Sequence, residues 1–201
     1  MKRALLVIDV QNEYVTGRLP IAYPPVQTSL AAIHAAMDAA SERSIPVIVI
    51  QQDAPADSPI FAHGSDGWQL HESIASRPGV ITMSKTLPSA FARTDLAHTL
   101  ESLGVDTIAI TGYMTQNCDE STARDAAHRG YAVEFLRDAT GAPHLANSAG
   151  TVEARTLHET VLTVLESRFA AVVTTRRWIQ ALDSGTPLTG STIAASVAAA
   201  P

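Results

Sequence analysis

The stretch "TIAITGYMTQNCDESTARDAAHRG", Thr107 to Gly130, decides the fold. Its opening, Thr107–Thr111, is a run of β-branched and apolar residues suited to a strand buried on both faces. A short polar turn follows. From Cys118 the spacing becomes that of a helix, which ends at Gly130, a residue free to take the C′ conformation. Strand, turn and helix in that order are half of a βαβ unit. Cys118, the only cysteine in the chain, stands at the junction. A core-filling thiol is one reading, because free cysteine is among the most buried residue types. A nucleophile is the other. A helix start offers unpaired N–H groups and the positive end of the macrodipole, both of which favour a thiolate. Asp119 and Glu120 push the opposite way.

Working outward, the same alternation recurs. Ala4–Val10, Pro46–Gln51, Val80–Ser84, Ala132–Leu136 and Ala171–Thr174 are further Val- and Ile-rich runs that read as buried strands. Between them lie helical segments: Ser29–Ser44, a helix capped by Thr94 and stopped at Gly104, and Thr151 to about Ser167. Strands alternating with helices imply an α/β fold with a doubly wound, mostly parallel six-stranded sheet and helices on both faces. Ligands in such sheets bind beyond the carboxyl ends of the strands. That rule selects Asp9, Gln52–Asp53, Lys85, Gly112–Cys118 and Asp138. The connection 54–79 is long, rich in Pro and Gly, and contains Phe61 and Trp68. Loops of that length are often functional or lie at interfaces. Residues 1–183 read as a single domain, and 184–201, "SGTPLTGSTIAASVAAAP", as a small-residue tail.

With 14 Lys and Arg against 20 Asp and Glu, the net charge is −6, and no basic patch invites nucleic acid. No run approaches the roughly 20 apolar residues of a membrane span. The start "MKRALLVIDVQNEY" is too short in its apolar part for a secretion signal. A lone cysteine suits a reducing compartment, so a cytoplasmic protein is expected. Neither a Gly-x-Gly-x-x-Gly nor a Walker-type run follows any strand, which disfavours a nucleotide-binding flavodoxin-like protein.

Asp9 ends a strongly apolar strand, where an unpaired carboxylate is costly to bury. It is either a cap for loop amides or a base with a cationic partner. Lys85 closes "VITMSK" as a surface lysine or as that partner.

"DVQNEY" (Asp9–Tyr14), "KTLPSAF" (Lys85–Phe91) and "TGYMTQNCDESTARDAAHRGY" (Thr111–Tyr131) resemble, in order and spacing, the three motifs of the isochorismatase-like cysteine hydrolases. The resemblance covers roughly Lys2 to Leu182. It implies a catalytic triad of Asp9, Lys85 and Cys118. It also implies a cis peptide between Tyr113 and Met114, with the N–H groups of Met114 and Cys118 forming an oxyanion hole. The expected activity is hydrolysis of a C–N bond, amide or carbamoyl, in a small molecule through a thioester. A homodimer or homotetramer is implied as well.

Two departures narrow this expectation. Nicotinamidases of the family place an Asp-x-His pair and a later His around a metal. Here Asp53 is followed by Pro55 rather than His, leaving only His63 and His71 in the loop, so no metal and no cofactor are expected. Isochorismatases proper have glycine where Cys118 stands. Tyr14, Phe91, Tyr113 and Trp68 are candidate walls of a small pocket, core packing being the alternative for each. A redox-sensing binding module on the same fold is the rival from a different class.

Overall fold

A computed structural model describes the whole chain, Met1 to Pro201. In chain order the elements are β1 (Arg3–Ile8), α1 (Asn12–Val15), α2 (Val26–Glu42), β2 (Val47–Gln52), α3 (Glu72–Ala75) and β3 (Ile81–Lys85). There follow α4 (Leu96–Ser102), β4 (Thr107–Tyr113), a π-helical turn over Thr115–Asp119, α5 (Glu120–His128) and β5 (Ala132–Gly141). The chain closes with β6 (Leu145–Asn147), β7 (Gly150–Val152), α6 (Ala154–Glu166), β8 (Ala171–Val173), α7 (Thr175–Ser184) and α8 (Ile193–Ala198).

Six strands form one parallel sheet in the order β3-β2-β1-β4-β5-β8. The order reverses between β1 and β4, and the crevice beyond that switch point is where such sheets bind ligands. Alternate residues of the central strands feed two cores. Leu6, Ile8, Ile48, Ile108 and Ile110 face α4, α5 and α6. Leu5, Val7, Val49 and Ala109 face α2 and α7. Each fully buried Leu, Ile or Val contributes about 1.5–3 kcal/mol, which is why these strands carry continuous apolar runs.

The six expected strands are all present, with two differences. The reading of both-face burial fails for β3. It is the edge strand, and Ile81, 37 % exposed, Thr82 and Ser84 face solvent. β5 runs on to Gly141, past a register shift against β4 between Ile110 and Gly112. The β6–β7 hairpin and α7 were not anticipated. Signals for α7 were there: the Thr174 side chain accepts from the Arg177 N–H, and Gly185 stops the helix at φ 65°. Within the segment read as a tail, Ser191 N–H bonds to the Glu166 carbonyl and α8 forms beyond it. No helix is long and apolar enough to cross a membrane.

One polar feature is buried between the sheet and α7. Arg3 on β1 donates from Nε to Glu134 Oε2 and from Nη2 to Oε1, both at 2.8 Å, and Trp178 Nε1 donates to Oε2 at 2.7 Å. Glu134 is thereby satisfied inside β5. Glu134→Leu strands the Arg3 charge and the indole N–H, so urea denaturation should register a loss of about 3–5 kcal/mol. The double variant Arg3→Met/Glu134→Leu should recover much of it.

Candidate active site

Three strand ends and one turn converge at the switch point. Asp9 leaves β1 in the left-handed region at φ 51°, which Asp adopts more readily than most residues. Its N–H is held by the Ile50 carbonyl at 2.8 Å, which ties the chain to β2 as it leaves β1. Gly112 pairs with Ile8 and has φ 118°. A Cβ there would lie 1.9 Å from the Ile8 carbonyl oxygen, so only glycine lets β4 close onto β1 beside Asp9. Beyond it, the Tyr113–Met114 peptide is cis, and the Met114 N–H has no acceptor in the chain. Cys118 lies in the π-helical turn rather than opening the α-helix, which starts two residues later at Glu120. The Asp119 N–H reaches back to the Met114 carbonyl at 3.2 Å and closes that wider turn.

These elements bring Asp9, Lys85 and Cys118 together. Lys85 Nζ lies 2.7 Å from Asp9 Oδ2 and 3.3 Å from Cys118 Sγ, and it donates to Gln52 Oε1 at 2.6 Å. Both members of the Asp9–Lys85 ion pair have fully buried side chains. Burial pushes the Cys118 thiol far up, and the Asp9 charge adds to the effect. The thiol is therefore protonated at rest. Burial also raises the Asp9 carboxyl, against the pull of the Lys85 ammonium. For Lys85, burial works downward, but Asp9 and then Cys118 outweigh it and hold the ammonium above its ordinary range.

Several neighbours take roles that the sequence did not assign, although Gln52 lay among the strand-end positions. Gln52 anchors Lys85. Gln11 pins the 54–79 connection by donating to the carbonyls of Trp68 (2.7 Å) and Gln52 (2.9 Å). Asp119, fully buried, has no hydrogen-bond partner on either carboxylate oxygen, and burial and then Asp9 push it well above the carboxylate range. His158 supports the turn from α6. Its Nε2 faces the Arg137 carbonyl at 3.0 Å, so that nitrogen carries the proton and Nδ1 accepts from Thr115 at 2.9 Å. Burial lowers its pKa to about 4, which keeps it neutral and the tautomer fixed. A buried His on an apolar helix face was the available signal.

A cavity of about 320 Å³ opens at Cys118. Leu19, Ile60, Phe61, Leu87 and Met114 form much of its wall, with Gln52, Thr86 and Asn117 among the polar groups. A larger depression of about 600 Å³ lies beside Arg77, Met37 and Val47, where none of these reactive groups is found.

Of the four aromatic candidates, only Tyr14 lines the cavity. Phe91 is a core residue, stacked on Tyr131 at 5.9 Å and covered by the Arg129 guanidinium. Tyr113 points into the opposite core, because its register position on β4 faces α2, and its hydroxyl lies 2.7 Å from Ser29 Oγ. It backs the Tyr14 ring, 5.6 Å away. Trp68 packs on His63 at 4.6 Å and takes no part in the wall. Phe61, held at φ 52° and 5.3 Å from Tyr14, supplies the second ring instead. Asp53 pairs with His63 at 2.7 Å, while His71 bonds to Ser73, so the three do not converge.

A buried acid, ammonium and thiol at the switch point of a parallel sheet define an α/β protein with an enzyme-type site. A sequence model of the isochorismatase domain matches residues 3–177, and the chain belongs to the isochorismatase family of hydrolases, whose members include amidohydrolases. The crystal structure of a Burkholderia xenovorans LB400 protein provisionally described as an isochorismatase is 54 % identical, with a TM-score of 0.96, over 98 % of this chain and 94 % of its own. A cysteine hydrolase from Pseudomonas syringae pv. phaseolicola 1448A is 27 % identical with a TM-score of 0.84, over 91 % of this chain and 93 % of its own. Ureidoacrylate amidohydrolase of Methylobacterium radiotolerans is 31 % identical over 84 % of this chain and 74 % of its own.

Proposed function

We propose that the chain is a cysteine-dependent hydrolase that cleaves a C–N bond, amide or carbamoyl, of a small molecule through a thioester. The observation that carries this reading is the Lys85 ammonium, 2.7 Å from Asp9 and 3.3 Å from Cys118 Sγ, with that sulfur at the floor of a cavity. Likeness to a cysteine hydrolase and an amidohydrolase supports it.

Because the thiol is protonated at rest, attack needs a base. Asp9 takes the Sγ proton as sulfur bonds to the carbonyl carbon. The oxygen, now negative, is received by the N–H groups of Met114 and Cys118, each worth about 3 kcal/mol at the transition state. The C–N bond breaks as Asp9 hands its proton to the leaving nitrogen. Water then attacks the thioester with Asp9 again as base, the C–S bond breaks, and the proton returns to sulfur. Lys85 holds Asp9 ionised between these transfers and steadies the departing thiolate.

The test is ammonia release from a panel of small primary amides, ureas and carbamoyl compounds, followed by mass spectrometry of acid-quenched samples. The expected result is an acyl mass on the peptide that carries Cys118. Reactivity limited to oxidation of that sulfur, without turnover or adduct, would replace the hydrolase by the redox-sensing reading.

A further inference from the structure

We infer that the site selects amides or carbamoyl compounds that carry no negative charge, with a compact apolar body, and turns away those bearing a carboxylate. This rests on the hydrolase reading above and names its substrate class. Four observations carry it.

No Arg, Lys or His is among the residues lining the cavity. A carboxylate drawn into a small, largely apolar space without a cation loses its hydration and gains no partner. Lys85, the one buried ammonium nearby, is already engaged by Asp9, Gln52 and Cys118, and its side chain is fully buried. The basic side chains that reach the neighbouring loop, Arg18 and His63, are not among the lining residues. Arg18 Nη1 donates to the Pro59 carbonyl at 3.0 Å, and His63 pairs with Asp53 at 2.7 Å. The single ammonium is balanced by the Asp9 carboxylate at 2.7 Å, and Glu13, buried next to Tyr14 on α1, adds a further acidic group.

What remains for recognition is neutral. Thr86 and Asn117 line the cavity and spend no side-chain hydrogen bond within the chain, so they are free to orient an amide. Leu19, Ile60, Phe61 and Leu87 are left to take an apolar body. The charge balance also favours turnover. Hydrolysis of a neutral amide with water yields a carboxylic acid and ammonia, and the acid ionises in a site that disfavours anions, so the product leaves.

The experiment compares three compounds of similar shape: succinamide, 4-methylpentanamide and succinamate. The first and last differ only in an amide against a carboxylate at the far end. The expected result is a kcat/KM for both neutral amides at least about 100-fold above that for succinamate, the scale of discrimination that an unpaired buried charge produces. Succinamate turned over within threefold of succinamide overturns charge selection and leaves the hydrolase reading standing. No turnover of any of the three, with no acyl adduct on Cys118 across the wider panel, overturns both. The converse test is Leu87→Arg, which places a guanidinium on the wall from a position 36 % exposed. It should raise the succinamate-to-succinamide ratio of kcat/KM at least about tenfold. A ratio that does not move means that the missing cation is not what excludes the acid, and the inference falls.

Discussion

Cys118→Ala is expected to lower kcat/KM for the best amide substrate by at least about 10⁴-fold. The folded state should change little, because the residue is small and the Asp9–Lys85 pair keeps its own geometry without the sulfur. A shift of the urea midpoint equivalent to no more than about 1–2 kcal/mol is anticipated. The size of the kinetic effect follows from the chemistry. Without the thiol there is no thioester, and water must attack an amide directly in a site whose base was placed for sulfur. Full retention of turnover in this variant would sink the covalent route, whatever else the site does.

Asp9→Asn should be nearly as damaging, with kcat reduced about 10³–10⁴-fold, since one carboxylate serves both proton transfers. It also leaves the Lys85 ammonium fully buried without its counter-charge, so a stability loss of about 3–5 kcal/mol should accompany it. The pH profile of the unaltered protein gives an independent reading. Catalysis needs Asp9 ionised, and burial raises that group, so the rate should climb with pH through a midpoint above the ordinary carboxylate value of about 3.9. Lys85 must stay protonated. Asp9 and Cys118 outweigh burial and hold it above its ordinary range, so the alkaline fall should come at high pH and leave a plateau across neutrality. Removing the cation in Lys85→Met takes away what holds Asp9 ionised. The acid limb should then move up by about one unit or more, read as kcat/KM against pH. An acid limb that stays in place would mean that Asp9 is not the titrating base.

Much of this site was legible in the chain itself, and particular residues show where legibility stopped. Asp9, Lys85 and Cys118 drew notice because each ends or follows an apolar run, and a parallel sheet places all such ends on one edge, but it was the resemblance of three motifs to a known family that joined them as a triad. Phe91 and Tyr113 were read toward the pocket because they neighbour those ends. Their side chains instead enter the two cores, a matter of which face a register position presents. Gln52 and Asn117 fell among the strand-end positions, but their roles, like that of Asp119, arise only where the ends of β2, β3 and β4 meet. Glu134 is of the same kind, a charge inside an apolar strand that makes sense only when Arg3 and Trp178 are brought to it.

By itself the sequence determined the strand-and-helix alternation, the parallel sheet and which acid, amine and thiol stand at the strand ends, because periodicity and element ends are local properties of a chain. The tertiary structure alone decided which side chains wall the cavity, which polar groups are spent on one another, and that no basic side chain is among the lining residues. Those outcomes depend on contacts between segments as far apart as those of Asp9, Lys85 and Cys118, and on which groups burial deprives of water. Neither is written in the spacing of residues along the chain.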